Sequence, residues 1–141
     1  MDLTGLLHLM EGIPVYDRLL KELEQGSTAR AAVLDVAKPY LITTLYQRLS
    51  RPLLLVTAQP EHTKKLYEQF LTWGPSMNVI LFPEPEALPY ENIASDSNTE
   101  MDRLQALSAL AGTDGNAFGP PLIIASAAAL MQQVPAFNDF T

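Results

Sequence analysis

At 141 residues, with 48% hydrophobic and 18% charged side chains, the chain can bury one ordinary core and is too apolar to be disordered. Nine lysines and arginines stand against 16 aspartates and glutamates, a net charge of −7, and they form no cluster. That balance argues against a strong autonomous DNA-binding surface, which would need many cations to displace phosphate counterions.

Several other classes fall away in the same reading. No apolar run approaches the roughly 20 residues that cross a bilayer, so no membrane contact is expected. The start, Met1-Asp2-Leu3-Thr4, lacks the basic flank and cleavage site of a leader. With no cysteine there is neither a disulfide framework nor a thiolate metal site, and the cytoplasm is the expected compartment.

In chain order, Val15 to Glu24 places Leu19, Leu20 and Leu23 on one face at helical spacing, and Gly26-Ser27 ends that helix. The run Ala31-Ala32-Val33-Leu34 reads as a short buried strand. A helix follows from Pro39 to Leu49, with proline in its first turn. Leu53 to Thr57 is apolar at successive positions, as a central parallel strand is.

Pro60 opens a helix whose apolar face is Leu66, Phe70 and Leu71 and whose stop is Trp73-Gly74-Pro75. Asn78 to Phe82 is a further strand, and a proline-bearing polar loop runs from Pro83 to Asn98. Thr99 reads as the N-cap of a helix to Ala111, with Asp102 at the reciprocal capping position. Leu122 to Ala125 is a fourth strand and Ala127 to Gln133 a last helix.

Short apolar strands alternating with amphipathic helices predict an α/β fold, a doubly wound, mostly parallel sheet of about four strands. Residues 1–25 read as a helical arm, 26–135 as the α/β domain and 136–141 as the truncated start of a following segment. That last stretch carries Phe137 and Phe140 but no element of its own.

A phosphate-binding loop needs glycines, a lysine and a hydroxyl residue after a strand, so that backbone N–H groups cradle phosphates and the hydroxyl holds Mg²⁺. After Val33-Leu34 the chain has Asp35, then Tyr40 where the second glycine belongs, and Leu41 and Ile42 for the lysine and hydroxyl. An acid there repels phosphate, and Pro39 removes an N–H donor. No other stretch offers the motif, so no nucleotide is expected to bind by this mechanism.

His8 and His62 are the only histidines and stand by no nucleophile pattern. Glu84, Glu86 and Glu91 share a proline-bearing loop without a partner element for acid–base work. Asp96 and its acidic neighbours match no loop spacing for a cation. No catalytic residue, metal ligand or bound cofactor is expected.

The segment Leu81-Phe82-Pro83-Glu84-Pro85-Glu86-Ala87-Leu88-Pro89-Tyr90-Glu91 resembles the proline- and tyrosine-bearing stretch of bacterial transcription-repair coupling factors. A similar stretch occurs in the repair protein excinuclease B. Arg51 to Thr57, the arginine-bearing Met101-Asp102-Arg103-Leu104, and Leu122 to Gln132 resemble further family pieces in the same order. The resemblance covers roughly residues 13 to 135.

It implies the excinuclease-B-like N-terminal module of a coupling factor, helicase-like in fold, with a degenerate phosphate loop at Asp35, Tyr40, Leu41 and Ile42. The full-length family member is an ATP-dependent DNA translocase that removes stalled RNA polymerase and recruits excision repair. ATP and Mg²⁺ belong to its motor domains, and binding of excinuclease A to an adjacent subdomain that this chain lacks. The chain itself is then expected to be a non-catalytic scaffold whose partners are other domains of the same protein.

Thr57, Gln59, His62 and Lys65 occupy the place of a helicase motif that touches the nucleic-acid backbone in active relatives. The net charge favours a plain, solvated helix start there instead. Glu86, Pro89, Tyr90 and Arg103 are expected to be structural, Arg103 pairing with Glu86 or Glu91 to fix the loop. Two alternatives remain: an ATP-binding helicase or excinuclease B domain, and a stand-alone α/β binder of small molecules.

Overall fold

Three short parallel strands and the helices between them organise the chain in a computed structural model that describes residues 3–85, 97–112, 119–132 and 134. A 3-10 turn (Thr4–Met10) leads to α1 (Pro14–Glu24), and a second, Asp35–Ala37, leads to α2 (Lys38–Leu49). Then come β1 (Leu53–Thr57), α3 (Pro60–Trp73), β2 (Val79–Phe82), α4 (Ser97–Ala111), β3 (Leu122–Ser126) and α5 (Ala127–Leu130).

The sheet order is β1-β3-β2, with Leu55 opposite Ile124 and Leu81 opposite the same residue from the other side. β3 is therefore the central strand, and its side chains alternate between two cores. Leu122 and Ile124 join Phe70 and Tyr46, with Leu53, Leu55, Leu66 and Val79 packed around them. Ile123 and Ala125 join Ile80, Phe82, Ala106 and Ala129 on the opposite face. Helices α2 and α3 cover one side and α4 the other, which is the doubly wound α/β arrangement.

Polar contacts tie the remaining pieces to these layers. Tyr46 Oη donates to the Pro120 carbonyl (2.5 Å) just before β3. Tyr40 Oη donates to the Leu6 carbonyl (2.6 Å), and Arg51 donates to the Leu23 carbonyl (2.6 Å). The Arg48–Glu11 ion pair (3.2 Å) completes the attachment of the N-terminal turn to α2.

Several expectations change. Ala31 to Leu34 is not a strand: it is extended chain outside the sheet, with only Val33 half-buried, so the described sheet has three strands. Two of its four residues are alanines, which gain little from burial, and so short an apolar run carries no period of its own. β1 is not the central strand but, among the described residues, an edge. Helix α4 begins at Ser97, so Thr99 lies inside it and is not its N-cap. Leu71 is largely exposed on α3, whose inner face is formed by Thr63, Leu66, Tyr67 and Phe70. The last helix ends at Leu130, short of Gln133.

Candidate functional site

Two crevices open near the carboxyl ends of the strands, where doubly wound sheets bind ligands. The first, about 470 Å³, lies beside β1 and brings Asp35 and Lys38 together with Thr57, His62 and Lys65 over a floor of Ile42, Leu55 and Leu66. The second, about 480 Å³, lies over β2 and β3 and is lined by Thr63, Lys64, Phe82, Glu84, Asp102 and Ser126 among others.

The turn from β1 into α3 shapes both. Gln59 is extended at the N-cap of α3 and Pro60 follows with no N–H to satisfy. The Thr57 hydroxyl donates to the Gln59 carbonyl (2.9 Å) and lies 2.5 Å from the Thr63 hydroxyl, which is buried beneath it. Thr57 is thereby spent on closing the turn. Gln59 contributes through its backbone, while its side chain, like those of His62 and Lys65, is exposed.

Asp35 does not follow a strand. It opens a 3-10 turn that runs straight into α2, and its carboxylate pairs with Lys38 Nζ (2.5 Å). The Lys38 hydrogen bond and charge hold the Asp35 carboxyl below its ordinary range, with weaker help from the charges of His62 and Lys65. Two lysines and the His62 ring therefore converge around one acid.

The residues expected to form a degenerate phosphate loop are helical instead. Tyr40 stacks at a tilt on Trp73 with ring centroids 5.0 Å apart, and burial raises its phenol above the ordinary value. Ile42 packs against the Tyr46–Phe70 core, and Leu41 lines a groove beside α1. They serve packing, so comparing Asp35 to Ile42 with a strand-to-helix phosphate loop has no structural counterpart. The absence of the glycine–lysine motif from the sequence is unaffected.

At the second crevice, Ser126 closes β3 and starts α5. Its hydroxyl donates to Glu84 Oε1 (2.6 Å) and accepts from the Ala129 N–H (3.0 Å). Sequence reasoning assigned Ser126 no role. Its only signal was a serine directly before an alanine run, the usual N-cap pattern.

Arg103 reaches across from α4. It donates to the Pro83 carbonyl (2.7 Å), and its guanidinium lies 4.1 Å from the centre of the Phe82 ring. Burial lowers its pKa. It therefore anchors the foot of the loop that leaves β2 through a backbone carbonyl. Glu86, Pro89, Tyr90 and Glu91, the remainder of the expected loop contacts, lie outside the described residues.

Among the described residues no group of three or more histidines, aspartates and glutamates is placed to hold a metal ion. Nor is any helix among them long and apolar enough to cross a membrane. The two crevices present lysines, carboxylates and hydroxyls, and the Ser126 hydroxyl that meets the Glu84 carboxylate in the second also caps α5.

No family model matches the chain. A similarity to one curated protein does emerge. Over 101 residues, 72% of its length, the chain is 29% identical to a transcription-repair-coupling factor from Rickettsia bellii (strain RML369-C). The aligned stretch is 9% of that protein's length. The chain is thus distantly similar to one small part of a coupling factor.

Proposed function

We propose that this chain is a non-catalytic scaffold domain of a coupling-factor-like protein. The observation that carries the reading is the similarity over 101 residues to a transcription-repair-coupling factor. The missing glycine–lysine phosphate motif supports it, as does the use of Thr57 and Ser126 hydroxyls in turn closure and helix capping.

In this reading ATP, Mg²⁺ and translocation on DNA belong to other domains, as do contacts with RNA polymerase and excinuclease A. The domain's own partners are the parts of the protein that pack against it. Arg103 fixes Pro83 beside the Phe82 ring at the end of β2, which suits a positioning role.

Calorimetric titration of the chain with ATP and Mg²⁺, at protein concentrations able to detect sub-millimolar affinity, tests this. No binding heat is expected. One-to-one binding would overturn the scaffold reading in favour of a nucleotide-binding domain.

A further inference from the structure

β1 carries the sequence of an interior strand and the position of an edge. Its run Leu-Leu-Leu-Val-Thr has no lysine, proline or glycine, the residues that blunt natural sheet edges. Yet among the described residues its sole strand neighbour is β3. The Leu53 N–H donates to the Pro121 carbonyl (2.9 Å) on the β3 side. Backbone groups of successive strand residues point to alternate sides, so the N–H and C=O of Leu54 and Val56 face away from the sheet.

The side chains of those two residues are also uncovered. Leu54 is 51% and Val56 49% exposed, because α4 covers β2 and β3 but does not reach across to β1. Among the described residues, therefore, a row of peptide groups without a strand partner runs beside an open apolar face.

Charge at the strand's ends narrows what fits. Lys38, His62 and Lys65 surround the crevice at the carboxyl end, and Arg51 precedes the amino end. In an otherwise acidic chain this stretch is rimmed by Lys38, Lys65 and Arg51, with Asp35 the acid among them. A second copy pairing through β1 would set cation against cation in either direction, which costs energy in both registers.

From this we infer that β1 is a strand-acceptor edge, and that its occupant is an extended peptide segment from outside these 141 residues, apolar along its length with carboxylates at its ends. The added strand satisfies the peptide groups of Leu54 and Val56 and covers their side chains. Its carboxylate lies over Lys38 and Lys65, where Asp35 is now the acid in place. Pairing of this kind takes its affinity from main-chain hydrogen bonds and its selectivity from side-chain positions. The inference rests on the geometry of the sheet and does not depend on the proposed function.

The test tethers a probe strand of β1's length, alternating valine and threonine, to the C-terminus of the full chain through a glycine–serine linker of about 25 residues. Such a linker spans roughly 25–30 Å and raises the effective concentration to the millimolar range. One version is flanked by glutamates and the other by lysines. Amide exchange at Leu54 and Val56 is read by NMR, and the association state by sedimentation.

The glutamate-flanked strand is expected to slow exchange at both amides by about tenfold or more, and the lysine-flanked strand to leave it fast. The double variant Lys38→Glu, Lys65→Glu, altered only at solvent-accessible positions, is expected to reverse that preference. Three results would overturn the proposal: protection by neither strand, equal protection by both, or amides already protected in the untethered chain, whether monomeric or dimeric.

Discussion

Replacing Arg103 with alanine removes two interactions that meet at the end of β2. The first is the charged hydrogen bond from Nη1 to the Pro83 carbonyl at 2.7 Å, and a bond of this type contributes about 1.5 kcal/mol at a partly exposed site. The second is the guanidinium stacked 4.1 Å from the Phe82 ring centre, which adds about 0.5–1 kcal/mol where water still reaches the cation. Against these stands the cost of partly desolvating the guanidinium, visible in its lowered pKa, which the substitution relieves. The net loss is about 1–2 kcal/mol, which in a chain of this size lowers the Tm by about 3–8 °C. Thermal unfolding followed by circular dichroism measures it, together with amide exchange at Glu84, the residue after Pro83. Arg103→Lys keeps the charge but not the planar stack, and should fall between alanine and the parent. If both variants melt within about 1 °C of the parent and Glu84 exchanges at an unchanged rate, Arg103 does not hold the loop.

Two other outcomes follow from the same structure. Phe70 is fully buried between α3 and the sheet, so Phe70→Ala leaves a cavity and should cost about 3–5 kcal/mol, read as a lower urea midpoint. Asp35 has a depressed carboxyl pKa in the fold, so its contribution is present above the unfolded carboxylate pKa of about 4 and is lost as pH falls through the lower native value. Asp35→Asn should therefore flatten the acid limb of the stability–pH curve below about pH 4, and an unchanged limb would show that the Lys38 pair does not act in solution.

Much of the architecture was legible from one dimension. Pro60 and the 3.6-residue spacing of Leu66 and Phe70 announced α3, and the apolar runs at Leu53, Val79 and Leu122 announced three strands, because strand and helix periods are local properties. The Ala31 to Leu34 run misled, since four apolar residues, two of them alanines, satisfy either a strand or a link outside the sheet. Arg103 was expected to pair with Glu86 or Glu91, which lie outside the described residues. Its hydrogen-bond partner among the described residues, the Pro83 carbonyl, is a backbone group that no side-chain pattern announces. The meeting of Lys38 with His62 and Lys65 could not be read at all, because those residues are separated by a whole strand and belong to two helices on one face.

By itself the sequence determined the α/β class, the helix starts at proline, the absence of a glycine–lysine phosphate motif and the acidic balance, each of which depends on residue type and short-range spacing. Strand order belonged to the tertiary structure. β1 and β3 are nearly equally apolar, and hydrophobicity alone makes either the centre. What seated β3 there was that helices cover it on both faces, while α4 leaves Leu54 and Val56 open. Burial on two faces is a property of neighbours, and neighbours are assigned only when the chain is packed.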